Sequence, residues 1–477
     1  MENTKISRPD GLVVLSLFDG MSCGRLALER AGIKIAKYLA SEIKPFAVAH
    51  TQAKYPDTIM LGDVTRLHYD KKTKTLYSMC ERETIDRIGP KEDLDPKDFP
   101  TKESLDEKGL AIMNGQVCKV KFTKDELDEY DKNGYEIEDA SGEVIKWTLG
   151  EPKYTGEIDI LIGGSPCQDF SSANSFALSS GKGYGLQGPK SRLFYEYTRL
   201  KKEATPKYFL LENVKMRKDS EETLTNFLGV PGTHINSSLV AIANRPRVYW
   251  TNIYDGKDIP QPKDLGLNYQ DYKLMTLPHI EKMLYMERFP MCYELFDSTI
   301  QKDLDKYVEK DETGKVIKGI VTITDDDIEK ICAIPSNKWA REELDKAFGR
   351  KLTDREFVDE LHKLLQEAFV KKSPSRDKMW KGDTQGRFKC KDITNEKKTS
   401  TLTRKVDRFP NSGMVTIGDN MYCRFLTKIE QCKCQSVPYH FLNDLPYNSC
   451  CDCLGDGWQV DTIKHILEPL NDKYDFS

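Results

Sequence analysis

The sequence has no long apolar run. No window of its 477 residues approaches the roughly eighteen uninterrupted apolar residues of a membrane span, and the start, MENTKISRPDG, has no signal core, so a cytoplasmic protein is expected. It has no internal repeat. Charge of one sign is also missing: 72 Lys and Arg stand against 76 Asp and Glu, a net of −4. That excludes a uniformly basic nucleic-acid coat, so any polyanion contact must come from a local patch. Cysteine, by contrast, is not scarce. In a reducing compartment the 13 cysteines are free thiols, metal ligands or a nucleophile rather than disulfides. The length allows two or three domains.

Residues 11–67 alternate strand and helix signals: LVVLSLF, GRLALERAG, KYLASEI, TIMLGDV. This is the rhythm of a parallel sheet with crossover helices, the α/β class. The rhythm stops after Leu67. Residues 70–155 carry 21 acidic and 15 basic residues, a net of −6, with turn signals at Asn114-Gly115 and Asn133-Gly134 and late strand-like pieces VCKVKF and GEVIKWTLG. We read 68–155 as an inserted subdomain plus solvated linker. The α/β text resumes over 156–257 with IDILIGG, a helix near SRLFYEYTRLKKE, and the strands KYFLLENV and VYWTNIY. Residues 258–399 turn to charged helical text such as DREFVDELHKLLQEAFV, and 400–477 end in the helix-like TIKHILEPL.

The stretch GGSPCQDFSS follows the apolar run of residues 158–162. It puts Cys167 at the carboxyl end of a buried parallel strand, where open α/β sheets bind ligands. Most cysteines are only small buried hydrophobes; the neighbouring motifs favour a nucleophile here. LSLFDGMSCG is a strand running into a glycine-rich turn and a helix, a place where a ligand approaches the backbone closely. Glu42 ends the second strand, where a carboxylate can take both hydroxyls of a ribose, and Asp63 ends the third. Glu212, in LLENV, ends another apolar strand, where partial desolvation suits a general acid. Arg245 and Arg247, in RPR, put two fixed cations at the start of the strand VYW.

Taken in order, FDGMSCG, SE, GDV, GGSPCQDFS, ENV, RPR and LGDGWQV resemble the motifs of the DNA cytosine-C5 methyltransferases, most closely their phage and bacterial members. The resemblance covers residues 11–67, 156–256 and about 400–470. It implies a class I methyltransferase fold, a Rossmann-like sheet with an inserted subdomain and a separate target-recognition region, using S-adenosylmethionine. The cofactor would be held by Phe18, Asp19, Gly20, Ser22, Cys23, Gly24, Glu42, Ile43, Asp63, Val64, Pro166 and Trp458. Cys167, as thiolate, would add to C6 of a flipped cytosine while Glu212 bonds its N3, with Arg245 and Arg247 assisting. The helix after Gly457 would return to pack beside the first strand. Residues 171–191, rich in Gly, Ser and Lys, would close over the DNA.

Further expectations follow from the rest of the chain. Lys371–Lys398 holds 10 basic and 4 acidic residues around Trp380 and Phe388, a candidate contact to double-stranded DNA. The acidic insertion should face away from phosphates. Six cysteines crowd the end, at 423, 432, 434, 450, 451 and 453; their CxC spacings argue against zinc, and no metal is expected. Ala243 stands where many relatives have glutamine, and Asp456 where they have asparagine. A monomer is expected; a restriction endonuclease partner fits the resemblance, but neither it nor the recognised bases are legible. The rival readings are the same chemistry on RNA, a catalytically silent DNA-binding relative, and a different C5 modification.

Overall fold

The computed structural model describes residues 5–86, 88–91, 110–113, 116–120, 135–138, 143–166, 193–381, 390–405 and 411–477. Cys167, the 171–191 segment, the two Asn-Gly turns, Phe388 and the middle of the basic run lie outside the described residues.

Seven strands form the central sheet: β1 (Leu12–Leu17), β2 (Ile35–Ser41), β3 (Ile59–Met60), β4 (Ile160–Gly163), β5 (Tyr208–Val214), β6 (Thr233–Asn236) and β7 (Pro246–Thr251). Their spatial order is β6-β7-β5-β4-β1-β2-β3. All run parallel except β7, which is antiparallel to both β5 and β6. This is a Rossmann-like, mostly parallel sheet. The strand order reverses between β1 and β4, so the crevice for a ligand opens at their carboxyl ends.

The strands read as continuous apolar runs because both faces are covered. Leu12, Val14, Ile160, Ile162 and Leu210 bury one face, while Leu15, Leu17, Leu161, Phe209 and Leu211 bury the other. Against the second face pack α3 (Leu193–Ala204) and α4 (Lys218–Leu228), through Phe194, Tyr197, Leu200, Leu224 and Leu228. The first face carries α1 (Cys23–Arg30), with α2 (Pro45–Lys54) following β2.

The region after β7 contains α5 (Pro278–Arg288), α6 (Pro335–Phe348) and α7 (Asp354–Ala368), followed by α8 (Lys428–Cys434) and α9 (Tyr447–Asp456). Finally, α10 (Val460–Leu467) packs against α1, with Arg30 and Asp461 paired at 2.9 Å. The returning helix thus lies on the helix after the first strand. The edge contact is made by residues 474–475, which pair in parallel with Ile6–Ser7.

The insertion differs from its sequence reading. Strand structure starts at once, at residues 68–70, and the described residues form three small antiparallel sheets. Its base is fastened to α3. Trp147 stacks on the His68 ring at 4.8 Å, and the Arg199 guanidinium lies 4.9 Å from the Trp147 ring centre. Arg199 is itself paired with Glu203 at 2.6 Å and donates to the Leu67 carbonyl at 2.9 Å. A buried, charge-paired joint of this kind is costly to open. The stretch is therefore anchored at its root rather than loosely linked.

Candidate active site

The turn after β1 is tight: Phe18 and Ser22 sit at φ 59° and 62°, unusual for side-chain-bearing residues, with Gly20 at 60° between them. Asp19 fixes the turn. Its carboxylate accepts from Ser16 Oγ at 2.6 Å, Tyr38 Oη at 2.7 Å and Ser22 Oγ at 2.5 Å. Desolvation pushes the Asp19 carboxyl up against these donors. Asp19 is thus spent on holding the turn, and open space lies where a Gly20 side chain would project.

Glu42, at the end of β2, is 8% exposed and closes the same turn. Gly20 N–H donates to its Oε2 at 2.9 Å, and the Ile43 and Lys44 N–H groups donate to Oε1 at 2.8 and 2.9 Å. Ile43 beside it is 68% exposed, an apolar side chain left in solvent at a sheet end. Asp63 is exposed and caps the short turn after β3, accepting from Thr65 N–H at 2.9 Å, while Val64 is buried beneath it. Cys23, at the start of α1, is buried; desolvation pushes its thiol up to about 12, which makes it a packing group. Gly24 sits where a Cβ would meet Ile162, Tyr38 and the Trp458 ring.

Across the crevice, Glu212 near the end of β5 is 9% exposed. Arg247 Nε lies 2.8 Å from its Oε1, and Trp458 Nε1–H donates to its Oε2 at 3.1 Å. The next residue, Asn213, is buried and donates to the Ser165 carbonyl and hydroxyl at 3.3 and 3.1 Å. These bonds tie the ends of β4 and β5 together, so Pro166, the residue before Cys167, is delivered beside the Glu212 strand. A buried carboxylate with two donors, at a switch point and next to a chain leading into a cysteine, suits proton handling on a bound ring.

The two arginines of RPR divide the work. Arg247 touches Glu212. Arg245, 4% exposed, instead donates to the carbonyls of Leu402 at 3.2 Å, Gly455 at 3.4 Å and Gly457 at 2.7 Å. It holds the segment that carries Trp458, whose indole bonds the carboxylate. Asp456 is also accounted for: its carboxylate pairs with Lys44 at 2.5 Å and Arg404 at 3.5 Å, bridging the Glu42 loop to residues 402–405. Ala243 forms an isolated bridge to Thr399, where the chain returns from the helical region.

Two groups read from composition are used internally. Within the basic run, Lys398 Nζ donates to the Ser238 and Ala241 carbonyls, Lys372 pairs with Asp377, and Lys391 pairs with Glu396. Lys371, Lys378 and Lys397 remain exposed. The six late cysteines are free and buried, and among the described residues no group of three His, Cys, Asp or Glu side chains is placed to hold a metal ion. No helix among the described residues is long and apolar enough to cross a membrane.

Sequence reasoning missed the pair Arg424 and Glu430. Both are fully buried, joined by bonds of 2.8 and 3.0 Å, and Glu430 Oε1 also accepts from Leu274 N–H at 2.9 Å. They clamp the residues after β7 onto α8. Thr427 and Glu430 form a capping box at the start of α8, and the T-x-x-E pattern was the available signal.

The profile described as C-5 cytosine-specific DNA methylase matches residues 109–229, a span that contains Cys167 and Glu212. The chain spans less than half the length of the first curated relatives it matches. It is 31% identical over 183 residues to Type II methyltransferase M1.ScrFI of Lactococcus lactis subsp. cremoris, covering 35% of this chain and 42% of that protein. It is 26% identical over 414 residues to Type II methyltransferase M.NlaIV of Neisseria lactamica, covering 74% of this chain and 92% of that one. With Type II methyltransferase M.FnuDI of Fusobacterium nucleatum it shares 39% identity over 95 residues, 18% of this chain and 24% of the relative. Among solved structures, the Dnmt2 methyltransferase of S. pombe is similar with a TM-score of 0.44 and 11% identity, over 96% of this chain and 99% of that one.

Proposed function

We propose that this chain is a DNA cytosine-C5 methyltransferase: it moves a methyl group from S-adenosylmethionine to C5 of a cytosine flipped out of double-stranded DNA. The observation that carries this reading is Glu212, a buried carboxylate bonded by Arg247 and Trp458 and tied by Asn213 to the residues that precede Cys167.

The donor set fits the cofactor. An exposed apolar Ile43 follows Glu42 at the end of β2, and Asp63 follows the neighbouring strand β3, a combination that suits an adenine face and ribose hydroxyls. The Phe18–Gly24 turn, with open space at Gly20, suits the amino-acid end, and Val64, Pro166 and Trp458 complete the walls. When bound, the cofactor supplies an electrophilic methyl group.

The chain's own residues make the ring nucleophilic. Cytosine C5 is a weak nucleophile, so the Cys167 thiolate adds to C6 and breaks the C5–C6 double bond. Glu212 holds the proton at N3 and neutralises the charge that develops there. Arg247 keeps that carboxyl in place, and Arg245 fixes the segment behind it. After methylation the C5 proton leaves, the C5–C6 double bond re-forms, and the thiolate is expelled. A stacked base is out of reach of this sulfur, so the nucleotide is extruded at a cost of roughly a few kcal/mol. Residues 258–399 serve as the target-recognition region, with the exposed lysines of 371–398 on phosphates, and the acidic insertion turned away.

The test is methyl transfer from labelled cofactor to DNA and, in parallel, to transfer RNA. Wild-type protein is expected to leave 5-methylcytosine in DNA, and Cys167→Ser to leave none. Labelled RNA with unlabelled DNA would overturn the substrate; label retained by Cys167→Ser would overturn the mechanism.

A further inference from the structure

Trp458 joins two parts of the crevice with one ring. One edge reaches the first turn of α1: a Cβ on Gly24 would lie 3.4 Å from Cζ3 of the indole. The other edge carries Nε1–H, which donates to Glu212 Oε2 at 3.1 Å. Between them, the ring lies against Gly164, where a Cβ would sit 2.7 Å from Nε1 and 3.1 Å from Glu212 Oε2. Only a residue without a side chain lets the indole approach the carboxylate there, on the strand end that leads to Cys167.

From this geometry we infer that Trp458 is a positioning residue for Glu212, its indole N–H setting the carboxyl plane in which the base is met, beyond any contact with the cofactor. The inference rests on the methyltransferase reading. A terminal carboxyl torsion is broad and nearly two-fold, so one partner leaves the group free to rotate. Here each oxygen has its own donor, Arg247 Nε on Oε1 at 2.8 Å and Trp458 on Oε2. Both donors are groups that cannot accept, so each carboxylate oxygen keeps lone-pair capacity that these two bonds do not use. Trp458 is in turn held from behind. Its main-chain N–H meets the Cys23 thiol, and the carbonyl before it, Gly457 O, accepts from Arg245 Nη2 at 2.7 Å and Gln435 Nε2 at 3.2 Å. This gives Arg245 a route to the reacting carboxyl without touching it.

The test is Trp458→Phe, which keeps an aromatic ring against Gly24 and Gly164 but removes the donor. Support is a fall in kcat of about 10-fold or more, the range for loss of a supporting hydrogen bond, with the pH profile of kcat displaced and cofactor Kd within about twofold of wild type. The second variant, Gly164→Ala, keeps the indole and drives a methyl group between it and the carboxylate; the same pattern is expected, and it decides the matter should Trp458→Phe fail to fold. An unchanged kcat and pH profile in either folded variant, or a loss confined to cofactor Kd, overturns the positioning role alone. A wild-type protein that transfers no methyl group overturns both this role and the function it rests on.

Discussion

Two regions of this chain hold its chemically suggestive residues, and they use them differently. At the carboxyl edge of the sheet, Glu42, Asp63, Glu212 and Arg247 line a crevice, each at a strand end or start. In residues 423–453, six cysteines, Arg424 and Glu430 are packed into the core, Arg424 and Glu430 at 0% exposure. The difference teaches that residue type alone does not mark chemistry. At the strand ends Asp63 is exposed, and Glu42 and Glu212, though nearly buried, still reach the surface at 8% and 9% exposure. A carboxylate inside a core, like Glu430, has every oxygen occupied by its own chain.

The comparison breaks most visibly at Glu212. Replacing it by Gln is expected to lower kcat by about 10²–10⁴-fold while the urea midpoint moves little, because the amide keeps the shape of the site. A near-normal rate would place Glu212 with the packing residues instead. Next in size is Arg424→Leu, which leaves Glu430 buried without its partner and is expected to cost about 3–5 kcal/mol of stability, measured by urea unfolding. Adding Glu430→Leu should recover most of the loss, since the pair exists to satisfy itself; no recovery would mean that it does more.

The arginines of RPR sharpen the contrast within a single motif. Arg247→Ala is expected to reduce kcat by about 10–100-fold with a small change in stability. Arg245→Ala, which frees the carbonyls of Leu402 and Gly457, should lower the melting temperature as well. Equal stability losses would contradict the division drawn between them.

The smallest effect is on pH and comes from two histidines, one in α2 and one in α7. His50, against Phe441, and His362, bonded to Thr276, are buried, and desolvation pushes both down to about 4. An unfolded histidine titrates near about 6.5, so between pH 6.5 and 4 the unfolded chain takes up the protons first. Stability therefore falls as pH falls through that window, by on the order of 2 kcal/mol per histidine. Urea midpoints at several pH values check this, and His362→Gln should flatten the slope.

Much of the sheet was legible because parallel strands covered on both faces must be apolar throughout. LVVLSL, ILIG and YFLLENV could hardly be anything else, and their order brought Pro166 and Glu212 to the same edge of the sheet. Less was legible where a residue's role depends on its reach. Arg245 and Arg247 are two positions apart, and only the packing of residues 402–458 separates the one that touches Glu212 from the one that holds the chain behind it. In the basic run composition did not separate the lysines that stay exposed, Lys371, Lys378 and Lys397, from Lys398 and Lys372, which spend their charge on interior carbonyls and on Asp377. In the insertion the late strands were legible and the early ones at residues 68–70 and 75–78 were not, while its anchor, Trp147 on Arg199, joins residues far apart in sequence.

The central claim is that a sulfur of this chain becomes bonded to a pyrimidine ring, and covalent trapping tests it most directly. With S-adenosylmethionine and duplex DNA carrying 5-fluorocytosine at the methylated position, the C5 fluorine cannot leave as a cation, so the thioether is expected to persist. The account predicts a protein–DNA adduct that survives denaturation and maps to Cys167. A fully active enzyme that gives no adduct, or an adduct on another residue, would contradict it.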